Sequence, residues 1–344
     1  MKIKLLYFVL TIGIIACKPK SDKSEKEDLA VTNEITIAFG SCAHAYDSLP
    51  IFNAVASHKP TVWVWLGDIM YGDSHDMKVL ADKYRKQKEK EEYQNLMAST
   101  KIIGVWDDHD YGVNDGGKFY SKKDESKTLL LDFLDVAEDA TVRTHDGVYS
   151  EYDIAGNDKL VKIILLDTRY FRDTLDPDIG GMARYLPNKE GDILGEEQWR
   201  WLEEVLRNSK ADFHIVGSSI QLIAEEQGFE KWANFPAARQ RMFNMLAEIN
   251  PKPLLFISGD RHMAEISKID IPGLTYPLYD FTSSGLTHTW GMYRPEANRY
   301  RIDSLIVAKN FGLIKLDWQA AQPAISLEVR GENNELIQVT EIKY

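Results

Sequence analysis

The sequence predicts an α/β fold with mixed sheets that ends in a stretch made mostly of strands. Up to about residue 260, short apolar runs alternate with segments of helical periodicity, and this alternation is typical of α/β domains. The residues that follow are mainly strand-like. The chain has 344 residues, of which 44% are hydrophobic, so it can bury a large core.

The predicted strands are short and rich in β-branched and aromatic residues, as strands in a sheet core usually are. Before the C-terminal stretch they cover residues 34–40, 61–67, 101–106, 148–154, 159–167, 212–218 and 253–259. The C-terminal stretch adds strand-like segments at 302–318 and 324–342.

The predicted helices lie between these strands, at residues 48–57, 78–99, 124–137, 195–209 and 236–249. In the segment 195–209, Trp199, Leu202 and Val205 recur on one side, which is the spacing of an amphipathic helix. The segment 78–99 carries many Lys and Glu residues, which most simply form a solvated face. No repeat and no clear linker divides residues 35–344, so they are expected to form a single domain.

The N-terminus is expected to be a signal peptide rather than part of the fold. Lys2 and Lys4 precede an apolar run that ends at Ala16, which is too short to span a bilayer comfortably. The residues up to Cys17 resemble a bacterial lipobox, in which that cysteine is lipidated. Residues 1–16 would then be removed, and 17–34 would form a lipidated, charged tether. The alternative is an ordinary signal peptide with a chance cysteine. The expected location is outside the cytoplasm, as a membrane-anchored lipoprotein facing the periplasm or the cell surface.

The composition argues against one class of partner and limits the possible roles of the cysteines. Asp and Glu number 53 against 41 Lys and Arg, which argues against nucleic acid as a partner. The chain has two cysteines, and a lipidated Cys17 cannot form a disulfide with Cys42. Cys42 is therefore either buried and inert or used for chemistry.

Four predicted strands end in residues that can bind metals. These residues are Cys42, Asp68 with Tyr71, the Asp107-Asp108-His109-Asp110 cluster, and Asp260 with His262. Strand ends in open α/β sheets converge on one crevice, where ligands bind. A lone aspartate after a strand is usually a helix cap or a turn residue, but packed carboxylates repel one another unless a cation lies among them. The pattern predicts a metal centre.

The ligand types indicate which metals this centre would take. A thiolate, a phenolate and an imidazole suit a transition ion, whereas carboxylates suit a harder cation such as calcium or manganese. A carboxylate shared by two such ions is the arrangement of two-metal hydrolases, which activate water for attack at phosphorus. Phosphoester hydrolysis is the predicted chemistry.

These residues also resemble known motifs. Gly67-Asp68-x-x-Tyr71 resembles the GDxxY motif of purple acid phosphatases. Asp107–Asp110 and Gly259–His262 are similar to the GNHE and GHxH motifs of metallophosphoesterases, with Asp260 in place of a histidine. Gly40-Ser41-Cys42, Asp167-Thr168-Arg169 and the segment 194–202 resemble the alkaline phosphatase D (PhoD-like) family of that superfamily.

The resemblance implies a four-layer αββα sandwich with a two-metal centre at the strand ends. It implies that a ferric ion is held by three residues, which are Cys42, Tyr71 and His262. Asp68 would bridge to a second ion held by Asp108 and Asp260. That second ion would be calcium, with manganese or zinc as alternatives.

The resemblance also implies catalytic roles for two residues. His109 would help the leaving group to depart, or alternatively would only orient Asp108. Arg169 would grip phosphate oxygens through its planar fork, or alternatively would pair with a structural aspartate.

Several neighbouring positions keep two interpretations. Asp107 and Asp110 are either metal ligands or residues that orient ligands. No His or Asp ends the strand 212–218, so Ser219 or Gln221 would have to supply a ligand from there. His44 faces either the site or solvent. His288 and Trp290 either line the substrate entrance or pack within a loop.

Three classes of function are compatible with a metal centre in an exported protein. The leading one is a phosphatase or phosphodiesterase acting on a small-molecule, lipid or cell-wall phosphoester. The alternative is a surface lipoprotein that holds metal without catalysis. A zinc hydrolase of the β-lactamase type is disfavoured, because the sequence has no HxHxDH stretch.

Overall fold

Two large mixed β-sheets face each other, and helices cover their outer sides. This computed structural model describes residues 34–156, 158–181, 184–292, 295–318 and 324–344. The predicted signal peptide, Cys17 and the tether up to residue 33 lie outside the described residues. Within these ranges no helix has both the length and the apolar character needed to cross a bilayer.

The strands are, in chain order, β1 (Glu34–Gly40), β2 (Val62–Leu66), β3 (Lys101–Val105), β4 (Ser150–Gly156), β5 (Lys159–Leu165), β6 (Asp176–Pro177), β7 (Tyr185–Leu186), β8 (Phe213–Ser218), β9 (Leu254–Ser258), β10 (Ala264–Ile269), β11 (Leu278–Ser283), β12 (Arg301–Ile306), β13 (Asn310–Asp317), β14 (Ala324–Gly331) and β15 (Leu336–Ile342). The helices are α1 (Ile51–Ser57), α2 (Met77–Lys88), α3 (Glu91–Met97), α4 (Asp108–Tyr111), α5 (Lys123–Phe133), α6 (Gly195–Asn208) and α7 (Pro236–Ile249). Short 3-10 turns lie at Thr141–Arg143 and Trp232–Asn234.

Each large sheet combines parallel and antiparallel pairs. The first has the order β15-β14-β13-β1-β2-β3, in which β1, β2 and β3 run parallel. The second has the order β12-β10-β11-β9-β8-β5-β4, in which β5, β8, β9 and β11 run parallel. The small sheet is the antiparallel pair β6 and β7. The C-terminal strands β13, β14 and β15 extend the first sheet by antiparallel pairing.

Alternate residues of the second sheet point into two different cores. Ile163, Ile215 and Ile257 pack in the core shared with the first sheet. Their neighbours Ile164 and Val216 pack on the other side, in a cluster with α6 and α7. A strand exposes its residues alternately to its two faces, so both faces of this sheet are buried. Helices α1, α2, α3 and α5 contribute buried residues on the side of the first sheet. The predicted α/β sandwich of two mixed sheets flanked by helices is confirmed.

The segment 78–99 differs from the single helix predicted there. It forms α2 and α3, with Lys90 in an extended conformation between them. At 3.6 residues per turn, the nine residues from Tyr84 to Tyr93 rotate a side chain by roughly 180°. A straight helix could not bury both rings, whereas the break lets both lie in the core.

Candidate metal centre

The four strand ends singled out by the sequence meet at one point of the fold. Three overlapping groups of side chains place their ligand atoms within 4.8 Å of one another. The groups are Cys42, Asp68 and His262; Asp68, Asp108 and His109; and Asp68, Asp107, Asp108 and Asp260. Asp68 belongs to all three, which is the position that a bridging carboxylate requires.

The backbone at these residues adopts an uncommon conformation. Cys42, Asp68, Asp260 and His262 all have positive φ values, between 48° and 67°. This left-handed region is disfavoured for residues with a side chain, and such conformations cluster at functional sites. Position 67, just before Asp68, requires glycine, because a Cβ there would lie 2.2 Å from the Cβ of Asp107. The close approach brings the ends of β2 and β3 together.

The thiol, phenol and imidazole predicted to bind a ferric ion lie around Asp68. The Sγ atom of Cys42 lies 3.4 Å from Oδ2 of Asp68, and the hydroxyl of Tyr71 lies 3.0 Å from Nε2 of His262. Burial, followed by the Asp68 charge, raises the pKa of the Cys42 thiol well above its ordinary value. A cation would reverse this direction, since positive charge beside a thiol favours the thiolate.

Two of the carboxylates have a buried oxygen without a hydrogen-bond partner among the described residues, and this observation fits a bound metal. Oδ1 of Asp68 and Oδ2 of Asp107 are buried and have no hydrogen-bond partner among the described residues. Burial raises the pKa values of Asp68 and Asp260 well above their ordinary range, and raises that of Asp107 to about 7. Unpaired buried carboxylates are costly, and a shared cation is the usual compensation. The donor set therefore fits the expected ions.

Asp108 is held for ligation by backbone donors. Its two oxygens accept hydrogen bonds from the amide of His109 at 3.0 Å and from the amide of Asp115 at 2.6 Å. Burial would raise the pKa of Asp108, but the charges of Arg169 and His109 and these two amides lower it overall. Asp108 is thus the carboxylate of the group that most readily stays ionised.

The structure supports different interpretations for Asp110 and Asp107, which were predicted to be either metal ligands or residues that orient ligands. The carboxylate of Asp110 accepts from the backbone amides of Asp68 at 3.1 Å, Ile69 at 3.3 Å and Asp107 at 2.7 Å. Asp110 therefore orients the loops that carry the ligands, and it belongs to none of the three ligand groups. Asp107 belongs to one group and has a free oxygen, so it remains available as a ligand.

Arg169 is buried behind the centre rather than open to a substrate. Its side chain has no exposed surface, and its Nη1 atom donates to Oε2 of Glu230 at 2.5 Å. Its Nε atom donates to Oδ1 of Asp107, also at 2.5 Å. This placement favours the alternative interpretation, in which Arg169 pairs with a structural aspartate. No motif or periodicity indicated Glu230, which lies in a loop between β8 and α7.

Most of the chain matches the model of one protein family. Residues 37–290 match the family described as PhoD-like phosphatase, and this span contains the residues of all three ligand groups. The chain belongs to the PhoD-like phosphatase family. The resemblance drawn from the motifs is therefore confirmed.

Individual relatives of this PhoD-like chain are distant. Alkaline phosphatase D of Bacillus subtilis (strain 168) is 22% identical over 280 residues, covering 69% of this chain and 47% of that protein. The chain thus spans about half the length of this curated relative.

Two solved structures share the fold. The structure of PhoD has a TM-score of 0.64 and 16% identity, covering 91% of this chain and 72% of that one. GAP50, described as the anchor in the inner membrane complex of Plasmodium, has a TM-score of 0.59 and 14% identity. That match covers 90% of this chain and 89% of GAP50.

Strand β8 of this PhoD-like chain is followed by the two polar residues that were predicted to supply a ligand. The hydroxyl of Ser219 donates to Oδ1 of Asp107 at 2.6 Å, so Ser219 lies at the centre and orients a candidate ligand. Gln221 is occupied elsewhere, because its amide nitrogen donates to Glu265 at 2.7 Å and to Thr282 at 2.9 Å. The structure therefore places Ser219, but not Gln221, against the acidic cluster.

His109 has a partner that the sequence reasoning missed. Its Nδ1 atom lies 2.8 and 2.9 Å from the two carboxylate oxygens of Asp73. Burial alone would lower the pKa of His109, but the hydrogen bond to Asp73 and the charges of Asp68 and Asp108 raise it to about 10. Asp73 lies two residues after Tyr71, at the end of the stretch GDIMYGD, and this position was its only signal.

Further histidines surround Tyr71. Nε2 of His288 lies 3.0 Å from the hydroxyl of Tyr71, and the ring of His44 lies 4.2 Å from the Tyr71 ring. Burial and the neighbouring histidines lower the pKa of His288 to about 3, which favours the neutral imidazole. His44 thus faces the site, and His288 contacts a candidate ligand directly. Trp290 lies further out, with its ring 5.6 Å from the guanidinium of Arg261.

Proposed function

We propose that this protein is a metal-dependent phosphoester hydrolase, a phosphatase or phosphodiesterase, that acts outside the cytoplasm from a lipid anchor. The observation that carries this proposal is the sharing of Asp68 by three ligand groups that also contain a thiol, an imidazole and further carboxylates. Two unlike sets of donors around one carboxylate suit two unlike cations. Membership in a phosphatase family supports the same chemistry.

The residues divide between the two expected ions by donor type. Cys42, Tyr71 and His262 would hold the ferric ion, and Asp68 would bridge. Asp108 and Asp260 would hold the second ion, with Asp107 as a further donor. We propose calcium there, with manganese or zinc as alternatives. Such a pair activates water and stabilises the charge that develops on a phosphoryl group.

We assign to His109 the delivery of a proton to the departing oxygen. It belongs to a ligand group with Asp68 and Asp108, so its imidazole lies beside the expected position of the phosphoryl group. Asp73 binds the Nδ1 side of the ring, which leaves Nε2 for the substrate. A protonated imidazole that is fixed in this way serves as a general acid.

Arg169 would act on the centre through Asp107. Its guanidinium and the hydroxyl of Ser219 both donate to Oδ1 of Asp107, which leaves Oδ2 free to face a cation. Glu230 balances the remaining positive charge of Arg169. In this role Arg169 is a positioning residue that does not touch the substrate.

The main experiment combines metal analysis with hydrolysis assays on the detergent-extracted protein. We expect bound iron and a second metal, together with turnover of nitrophenyl phosphate or of bis-nitrophenyl phosphate. Asp68→Asn should lose metal and activity, whereas Asp139→Asn, at an exposed aspartate, should keep both. A wild-type protein without metal and without turnover would contradict the proposal.

Export and anchoring rest on the first residues of the sequence. Lys2, Lys4, the apolar run and Cys17 form the pattern of a lipoprotein signal. Cells fed a labelled fatty acid should label the wild type but not Cys17→Ser, which should also be released from the membrane fraction. Labelling of both proteins, or of neither, would contradict the anchor without affecting the proposed hydrolysis. The proposed substrates are small, lipid or cell-wall phosphoesters that are reachable from such an anchor.

A surface lipoprotein that holds metal without catalysis is the second candidate. It is favoured by one observation, namely that the same fold is found in GAP50, which is described as an anchor. This candidate predicts bound metal but no turnover of any phosphoester. The assays above therefore separate the two functions.

A further inference from the structure

We propose that a cavity beside the metal centre, walled by Phe229 and Trp290, binds an uncharged, flat, apolar group of the substrate. This proposal deepens the proposed hydrolase function and rests on it. It predicts that the protein prefers phosphoesters of aryl-like alcohols to esters of small polar alcohols.

The cavity has the size and lining of a ligand subsite. Its volume is about 410 Å³, within the range of roughly 300–1,000 Å³ that is common for small-molecule sites. Among the described residues its lining is mostly apolar, with Phe229, Trp290, Gly291, Met292, Pro295 and Glu296. Phe229 is 43% exposed and Met292 is 67% exposed, so these side chains offer apolar surface to solvent. Exposed apolar surface that lines a cavity is typical of a binding site.

Both walls of the cavity lie close to residues of the metal centre, Phe229 through a ring contact and Trp290 through a short stretch of chain. The Arg261 guanidinium, 4.6 Å from the Phe229 ring, belongs to the residue between Asp260 and His262. Trp290 follows His288, which contacts Tyr71, by two residues. Consecutive Cα atoms lie about 3.8 Å apart, so the cavity begins within reach of the organic group on a phosphoryl group held at the centre.

The charges around the cavity disfavour a charged group inside it. Arg261 is almost fully buried, and its Nη2 atom lies 2.8 Å from both carboxylate oxygens of Glu296. That pairing neutralises the guanidinium, so Arg261 is not a free anion site. A cation is disfavoured because the guanidinium groups of Arg261 and Arg184, at 4.6 and 5.6 Å, already lie over the Phe229 ring. Among the described residues around the cavity, apolar contact is the means of recognition that remains.

The test uses two phosphonates that bind but do not react. Phenylphosphonate and methylphosphonate present the same head group, so their affinities for the metal-loaded protein differ only through the organic group. Titration calorimetry gives both affinities without any turnover. We expect phenylphosphonate to bind roughly tenfold more tightly than methylphosphonate, since tenfold corresponds to about 1.4 kcal/mol and partial burial of a ring supplies this much.

Variants of the cavity residues test whether the cavity causes the preference for phenylphosphonate. Phe229→Ala should abolish the preference for phenylphosphonate and leave methylphosphonate binding within twofold of the wild type. Trp290→Ala should do the same and replaces the first variant if that one fails to fold. Trp201→Ala is the matched control, because Trp201 is a partly exposed tryptophan that lines a different cavity. It should keep the full preference.

The outcomes separate this proposal from the proposed hydrolase function. Equal binding of the two phosphonates by the wild type, or a preference that survives in both cavity variants, would overturn the subsite. Hydrolysis of nitrophenyl phosphate under those conditions would leave the hydrolase function intact. A phenyl preference that depends on Phe229, without turnover of any ester, would support the subsite and contradict the hydrolase function.

Discussion

Asp73 holds His109 through both of its carboxylate oxygens, at 2.8 and 2.9 Å from Nδ1. The contact joins the loop after β2 to the start of α4, since Asp73 follows Tyr71 by two residues and His109 follows Asp108. A carboxylate on one ring nitrogen fixes the tautomer and the orientation of the other. Asp73 thus determines what His109 presents to the metal centre.

The first prediction concerns Asp73→Asn. Without the carboxylate, the pKa of His109 should fall, so a smaller fraction of the imidazole carries the proton and its ring is less ordered, and kcat should fall by roughly 10- to 100-fold. The loss should be larger on an alkyl monoester than on nitrophenyl phosphate, because nitrophenolate departs without a proton. Steady-state kinetics on both substrates measure it.

The comparison of leaving groups separates the two roles considered for His109. If His109 only orients Asp108, Asp73→Asn should slow both substrates equally and should lower metal content. Asp139→Asn, at an exposed aspartate on another loop, is the control and should match the wild type on both substrates.

The convergence of the candidate ligands could be predicted from the sequence, because strand ends in this kind of fold meet at one crevice. Asp68 and Asp260 each lie two residues past the end of an apolar strand, so their position needed only the strand assignment. Glu230 could not be found in this way. It reaches Arg169 from a loop between β8 and α7, and no periodicity or motif reports a contact made by tertiary packing.

The fold, like the site, was predictable from the sequence only in part. The strand and helix pattern was sufficient for an α/β fold with mixed sheets, whereas the sandwich of two sheets was implied by the family resemblance. The consecutive apolar residues of β5 and β8 are buried on both faces of their sheet. The break between α2 and α3 was not predictable from local propensity. Its residues favour helix, and only the need to bury both Tyr84 and Tyr93 interrupts it.

The second prediction concerns the colour of the iron-loaded protein. A phenolate bound to ferric iron absorbs visible light, so Tyr71→Phe should remove the visible band and lower the iron content. Tyr46→Phe is the matched control, since Tyr46 is 65% exposed, and it should keep the band. Absorption spectra with iron analysis measure both. A band that persists in Tyr71→Phe would remove Tyr71 from the ligand set.

The third prediction concerns Arg169→Met. Removing the guanidinium leaves Asp107 buried without its positive partner, while Glu230 keeps its ion pair with Arg172 at 2.9 Å. Breaking a buried pair from one side costs about 3–5 kcal/mol, so the free energy of unfolding should fall by that amount in urea titrations.

The binding of inorganic phosphate tests the other interpretation of Arg169. If Arg169 gripped phosphate oxygens, Arg169→Met would weaken product inhibition strongly while stability changed little. A positioning role predicts the opposite balance, namely a large loss of stability and a phosphate inhibition constant within a few-fold of the wild type in the folded fraction.

The fourth prediction concerns pH and His214, which lies at the start of β8. Its ring is buried between the carbonyl oxygen of Lys252, 3.1 Å from Nδ1, and the hydroxyl of Ser209, 2.7 Å from Nε2. Burial lowers the pKa of His214 below its ordinary value of 6.5. The unfolded chain therefore takes up this proton first as the pH falls.

The sign of the effect follows from that difference. The contribution of neutral His214 to stability is fully present above pH 6.5 and is lost as the pH falls through and below that value. The free energy of unfolding of the metal-loaded wild type should thus decrease from pH 7.5 to pH 5. His214→Asn should decrease less over the same interval, whereas His75→Asn, at an exposed histidine, should follow the wild type. Equal pH dependence of the wild type and His214→Asn, measured by urea titration at each pH, would show that the buried imidazole does not carry this effect.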